Sequence, residues 1–238
     1  MSSVEIMKLI KENVLSLKPY HVESTDCEIK LHANENPIPP SKELLELFST
    51  SFQKLQLNRY PDPDSRALKD SIADRLGIET KHLVIGNGSD EIILFLLQVF
   101  CQEGDSITFP DPTFSMYSII AQSLGIKSVR ISLDRHWDFS ADMILQSAEE
   151  NNSKIIFLSY PNNPTGNCFS DTQLQKVIES FQGIVVIDEA YHDFSRKSFV
   201  NQIREHNNLV VLRSLSKIGL AALRVGFGVA DPLVISEI

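Results

Sequence analysis

The sequence predicts an α/β domain with a mostly parallel central sheet and helices on both faces. Three observations carry that expectation. Short apolar runs alternate with amphipathic stretches from about residue 82 onward. The runs are near-continuous, as in Ile155-Ile156-Phe157-Leu158 and Ile184-Val185-Val186-Ile187, and unbroken apolar strands are the ones covered on both faces. Capping and stop residues fall between the runs, where helices must begin and end.

The elements follow in chain order. Residues 3–16 place Ile6, Leu9, Ile10 and Val14 on one side of an amphipathic helix. Residues 18–40 carry Pro19, Pro37, Pro39 and Pro40, which helix interiors do not accept. Residues 1–35 therefore read as an N-terminal helix and arm reaching over another surface, and 36–238 as the main domain. Ser41 caps a helix running to about residue 53. Asp64 or Ser65 caps the next, with Leu68, Ile72 and Leu76 on one face and Gly77 as its stop. Strands are then expected at 82–85, 106–109, 127–132, 154–159, 184–187, 209–213 and 225–230. Helices are expected at 89–100, 113–124, 140–149 and 170–181. Gly125 ends the 113–124 helix, and Ser170 with Gln173 has the spacing of a capping box.

Composition narrows the function. The 238 residues are 42% hydrophobic, enough for a substantial core. Thirty-one acidic residues against 22 basic ones give a net charge of −9, the wrong sign for a nucleic-acid or acidic-membrane footprint. Cys27, Cys101 and Cys168 are odd in number and form no C-x-x-C pair, so neither a disulfide framework nor a zinc knuckle is expected. The histidines show no metal-ligand spacing, and no metal is expected. Trp137 reads as a packing residue in a loop. The N-terminus lacks a basic start followed by an apolar run. The most apolar stretch, residues 92–101, is interrupted by Gln98 and is far shorter than the ~20 residues of a membrane span. A cytoplasmic protein is expected.

In open α/β sheets ligands bind beyond the carboxyl ends of the strands, so the residues following each strand are the ones to inspect. They are Gly86-Asn87-Gly88-Ser89-Asp90-Glu91, Pro110-Asp111-Pro112-Thr113-Phe114, Tyr160-Pro161-Asn162-Asn163-Pro164-Thr165-Gly166, Asp188-Glu189-Ala190-Tyr191 and Ser214-Leu215-Ser216-Lys217. The first either makes a tight strand-to-helix turn or cradles a phosphate on a helix N-terminus. Glu91 stands where a dinucleotide fingerprint needs its third glycine. Asp188 ends an apolar strand with no adjacent Lys or Arg; it is either a cap or surface carboxylate, or the partner of a cationic ligand ring. Lys217 is either a surface lysine or a nucleophile, since desolvation beside positive charge favours the free amine. Arg224 is an anion ligand or half of a structural ion pair.

Asn163-Pro164-Thr165-Gly166, Asp188-Glu189-Ala190-Tyr191 and Ser214-Leu215-Ser216-Lys217, in this order, resemble the fold-type I pyridoxal-phosphate aminotransferases. Leu31-His32-Ala33-Asn34-Glu35-Asn36-Pro37, Asn58-Arg59-Tyr60-Pro61-Asp62-Pro63, Gly88-Ser89-Asp90-Glu91 and Pro112-Thr113-Phe114-Ser115-Met116-Tyr117 resemble the histidinol-phosphate subfamily. The likeness runs from about Pro19 onward.

It implies pyridoxal 5′-phosphate as cofactor and amino transfer between histidinol phosphate and 2-oxoglutarate, yielding imidazole acetol phosphate and glutamate. The alternatives are another such aminotransferase, a threonine-phosphate decarboxylase-like enzyme, or an inactive cofactor domain. The resemblance makes Lys217 the lysine that condenses with the cofactor aldehyde, Asp188 the partner of the ring nitrogen, and Asn163 and Tyr191 the partners of the ring 3-oxygen. It makes Phe114 the stacking residue and puts Gly88, Ser89, Asp90, Ser214, Ser216 and Arg224 around the phosphate. Tyr60 is expected to reach the phosphate of a neighbouring subunit in a homodimer, and Tyr20 and Asn34 to contact substrate. Lys217 and Arg224 are seven residues apart, one fewer than in many relatives. The family's small C-terminal domain, with its carboxylate-binding arginines, is expected to be missing from this chain.

Overall fold

The computed structural model describes residues 3–17 and 29–238; Tyr20 and Cys27 lie outside the described residues. The apolar strands take the interior of the sheet, because a run such as Ile155–Leu158 has no polar face to give to water. Seven strands form one sheet: β1 (Leu83–Asn87), β2 (Ser106–Asp111), β3 (Lys127–Ser132), β4 (Ser153–Ser159), β5 (Ile184–Asp188), β6 (Leu209–Ser214) and β7 (Val225–Val229), in spatial order β1-β7-β6-β5-β4-β2-β3. Neighbours from β6 through β3 are parallel, and β7 is antiparallel to both β1 and β6. Six strands thus end on one rim, where β7 begins.

Alternation along the strands splits the core in two. Ile156, Leu158, Val185 and Ile187 face one layer, packed by α4 (Arg66–Leu76), α7 (Ala141–Glu150) and α8 (Asp171–Ser180). Ile155, Phe157, Val186 and Val210 face the other, packed by α5 (Ser89–Phe100) and α6 (Met116–Ser123). Helices on both faces of a mostly parallel sheet is the architecture expected.

Several local expectations hold. The Ser41 hydroxyl accepts from Leu44 N at the start of α3 (Lys42–Gln53), and Gly77 and Gly125 take positive φ after their helices. Others need correction. The 3–16 helix is two short ones, α1 (Ser3–Met7) and α2 (Glu12–Leu15), with Lys11 extended between them. Ile6, Leu9 and Ile10 stay exposed, so no burial drives one continuous helix. The contact that anchors this segment is polar: Asn13 Nδ2 donates to the Gln122 and Ser123 carbonyls at the end of α6. Neither Asp64 nor Ser65 caps α4 through its side chain; the Asp62 carboxylate accepts from Arg66 N at 2.9 Å. The capping box at Ser170 does not form. Ser170 Oγ pairs with Thr172 Oγ1, and Gln173 Oε1 accepts instead from Ala141 N, tying α8 to α7. The helix expected from residue 113 starts at Met116, because Thr113 Oγ1 donates to Asn162 Oδ1 and Asn162 Nδ2 to the Pro112 carbonyl. His82 lies in a turn before β1, its ring against the Ala230 carbonyl. Trp137 is 52% exposed; the turn around it is set by Asp134 accepting from His136 and Asp138 N–H groups, not by burial. No helix among the described residues is long and apolar enough to cross a membrane.

Candidate active site

The rim where six strands end holds a cavity of about 210 Å³. A larger cavity of about 850 Å³ shares Glu35, Asn163, Tyr191 and Lys217 with it. Each wall follows from a local feature of the chain. β1 ends at Asn87, Gly88 takes φ +81, and α5 begins at Ser89. A Cβ on Gly226 of β7 would stand 2.3 Å from Gly88 C and Ser89 N, so only glycine lets this turn lie on the sheet. The Glu91 carboxylate accepts from Asn87 N at 2.7 Å and closes the turn behind it. The first N–H groups of α5 have no intrahelical partners and carry the positive end of the helix dipole. One end of the cavity is therefore built to take an anion.

The same end gathers hydroxyls and a guanidinium. Ser214 Oγ donates to Ser216 Oγ at 2.9 Å, and Arg224 lies 3.4 Å from Ser216 Oγ and 3.5 Å from the Asp90 carboxylate. Arg224 is here because β7 is antiparallel: Asn87 faces Val225 and Ser214 faces Gly226. Burial pushes the Asp90 carboxyl up from its ordinary value, against the opposing pull of Arg224 and Lys217.

The same cavity is lined by a buried carboxylate. Asp188 is 3% exposed. Its Oδ1 accepts from Ala190 N at 3.0 Å and its Oδ2 from the Tyr117 hydroxyl at 2.7 Å. Burial pushes its carboxyl up to about 6, although both hydrogen bonds pull the other way. Tyr117, within the motif Pro112 to Tyr117 but assigned no role from the sequence, is thus part of the site. No local spacing signals it, because its partner lies 71 residues away.

Lys217 sits in a single turn after β6, Ser216–Ile218, half-buried. Its Nζ donates to the Ala33 carbonyl at 3.1 Å and lies 5.5 Å from the Tyr191 ring centroid. Asn34 Nδ2 donates to the Tyr191 hydroxyl at 3.0 Å, which puts Asn34 at the larger cavity. Phe114 and Asn163 also line the smaller cavity. The sequence-derived residues Gly88, Ser89, Asp90, Phe114, Asn163, Asp188, Tyr191, Ser214, Ser216, Lys217 and Arg224 therefore converge. Tyr60 does not: it is fully exposed and lines neither cavity.

Glu189, beside Asp188, has a different job. It is buried, accepts from Phe199 N and Ser198 Oγ, and pairs with Arg213 at 2.9 Å. Replacing Arg213 with Met leaves that carboxylate buried without its cation, an expected loss of about 3–5 kcal/mol. Urea unfolding checks this, and an unchanged midpoint would remove the pair from the account of stability.

The model of the aminotransferase class I and II family matches residues 27–238. The chain is 39% identical to histidinol-phosphate aminotransferase 2 of Nitrosococcus oceani over 241 residues, covering 100% of this chain and 66% of that protein. The solved histidinol-phosphate aminotransferase of Clostridium acetobutylicum is similar with a TM-score of 0.76 at 25% identity, over 86% of this chain and 61% of that one. That of Sinorhizobium meliloti, solved in complex with pyridoxal-5′-phosphate, has a TM-score of 0.77 at 21% identity, over 86% and 56%, a likeness of fold. The chain spans about 65% of the length of the sequence relatives it matches.

Proposed function

The chain belongs to the aminotransferase class I and II family, and from that premise we propose that it holds pyridoxal 5′-phosphate and serves amino transfer between histidinol phosphate and 2-oxoglutarate. The observation that carries the reading is one small cavity lined together by a buried carboxylate, an anion cradle and a lysine amine. A ligand with a cationic ring nitrogen, a carbonyl and a phosphate matches that set. Histidinol phosphate is taken from the name of the N. oceani relative, and 2-oxoglutarate from the family resemblance.

When bound, pyridoxal phosphate supplies an electrophilic carbonyl and an electron-withdrawing ring. Asp188 holds the ring nitrogen in its cationic form. Asn163 and Tyr191 donate to the ring oxygen, and Phe114 covers the ring face. Gly88, Ser89 and Asp90 offer the backbone N–H groups of the α5 N-terminus to the phosphate, with Ser214, Ser216 and Arg224 around it. Lys217 Nζ would be the amine that holds the cofactor carbonyl and, when free, the group that takes the proton at the substrate Cα and returns it to the cofactor carbon. Asn34 and Tyr20 contact substrate. Tyr60, exposed on its own chain, serves the phosphate of a second copy in a homodimer. In the same reading residues 1–35 are the arm, 36–238 the cofactor domain, and the protein works in the cytoplasm.

Mixing the chain with pyridoxal phosphate, reducing with borohydride and mapping peptides by mass should give one adduct, on Lys217. Histidinol phosphate with 2-oxoglutarate should then yield glutamate. Adduct without glutamate withdraws the substrate assignment and keeps the cofactor; no adduct withdraws both.

Arg224→Ala is expected to weaken pyridoxal phosphate about tenfold, the low end for a charge-assisted hydrogen bond at a half-exposed side chain. Binding of pyridoxal, which lacks the phosphate, should be unchanged. Equal losses for the two ligands, followed by absorbance titration, would remove Arg224 from the phosphate site.

A further inference from the structure

Among the described residues, Tyr117 is the one fully buried tyrosine whose hydroxyl bonds a carboxylate of the cavity. Its ring is 0% exposed. It stacks on Phe157 at 4.7 Å with planes 16° apart, and meets the edge of Phe114 at 5.5 Å and 86°. A ring held on two sides leaves its hydroxyl one direction, and that direction ends on Asp188 Oδ2 at 2.7 Å. Asp188 Oδ1 is held separately by Ala190 N. The carboxylate is thus fixed at both oxygens, by one backbone and one side-chain donor.

We infer that Tyr117 is a positioning residue: its hydroxyl fixes the Asp188 carboxylate so that an aimed acceptor faces the ring-nitrogen end of the cavity. This rests on the cofactor reading above. The hydroxyl keeps its proton, because burial and the adjacent carboxylate push its ionisation well above the ordinary tyrosine value. It is therefore a donor across the working pH range. Its hydrogen bond stabilises the ionised form of Asp188, which burial, Asp90 and Glu189 disfavour. Tyr117 would touch no substrate or cofactor atom itself; it acts through Asp188.

The test is Tyr117→Phe in the full chain, which keeps the ring packing and removes only the donor. Two probes are titrated by absorbance: pyridoxal phosphate, and its analogue with carbon in place of the ring nitrogen. The variant should bind pyridoxal phosphate about tenfold more weakly, the range for a hydrogen bond to a charged group, and bind the carbon analogue as the parent does. In an Asp188→Asn background the same substitution should change neither affinity by more than about twofold, since additivity fails where one residue acts through another. Equal weakening toward both probes would make Tyr117 a packing residue and overturn the inference, as would no weakening toward either. Loss that persists undiminished with Asp188→Asn would also overturn it. If the parent chain binds neither probe, the cofactor reading itself falls and takes the inference with it, a result distinct from any variant effect.

Discussion

Replacing Lys217 with alanine is expected to remove the reducible adduct completely and to lower amino transfer by at least about 10²–10⁴-fold, the range that general acid–base catalysis supplies. The reason is geometric. Among the described residues, Lys217 is the only lysine that lines the smaller cavity, and its Nζ is held on the Ala33 carbonyl, 5.5 Å from the centre of the Tyr191 ring. Among the described residues, the other lysine nearby is Lys30 of the larger cavity, and it is paired with Glu35 at 2.7 Å. Lys217→Arg keeps a cation but not a nucleophile, and should be equally silent in borohydride trapping. Mass mapping decides the matter: an adduct that moves to another peptide in the alanine variant would transfer the role elsewhere.

The second large effect is on stability without ligand. Burial raises the Asp188 carboxyl from 3.8 to about 6, so the folded chain holds a proton that the unfolded chain releases. Stability from this group is therefore fully present below about pH 4. It falls as the pH rises toward 6, and stays reduced above. At 1.36 kcal/mol per pH unit the loss is about 3 kcal/mol. Asp188→Asn carries no charge to bury. Its carbonyl can keep the Ala190 N–H, and its amide can turn toward the Tyr117 oxygen. Without ligand, the variant should be more stable than the parent at pH 8 by up to about 3 kcal/mol and lose that advantage at pH 4. Urea unfolding at the two pH values measures both. A variant less stable than the parent at pH 8 would contradict the buried-charge account. The same substitution should weaken pyridoxal phosphate, so stability and cofactor binding move in opposite directions at one side chain.

Much of this was legible beforehand because it is local chemistry. A run such as Ile184-Val185-Val186-Ile187 commits its segment to a doubly covered strand, and the residue after it then lies on the rim. That reasoning puts Asp188, Asn163, Ser89 and Lys217 on one rim. What failed was also local but outcompeted. Ser170 and Gln173 had capping-box spacing, yet Gln173 found the free Ala141 N–H of a neighbouring helix. Ser65 stood at a helix start, but the Asp62 carboxylate, which also pairs with Arg66, reached the N–H first.

The sequence by itself determined the alternation of strands and helices and the chemical types gathered near the strand ends, since apolar period and turn residues are read within a dozen positions. Only the tertiary structure decided which of those groups pair. Tyr117 lies 71 residues from Asp188, and Arg213 lies 24 residues from Glu189. Arg224 reaches the anion cradle because β7 inserts antiparallel between β1 and β6. Strand direction and side-chain partners across such distances depend on how the whole sheet packs, and no window of the chain carries that information.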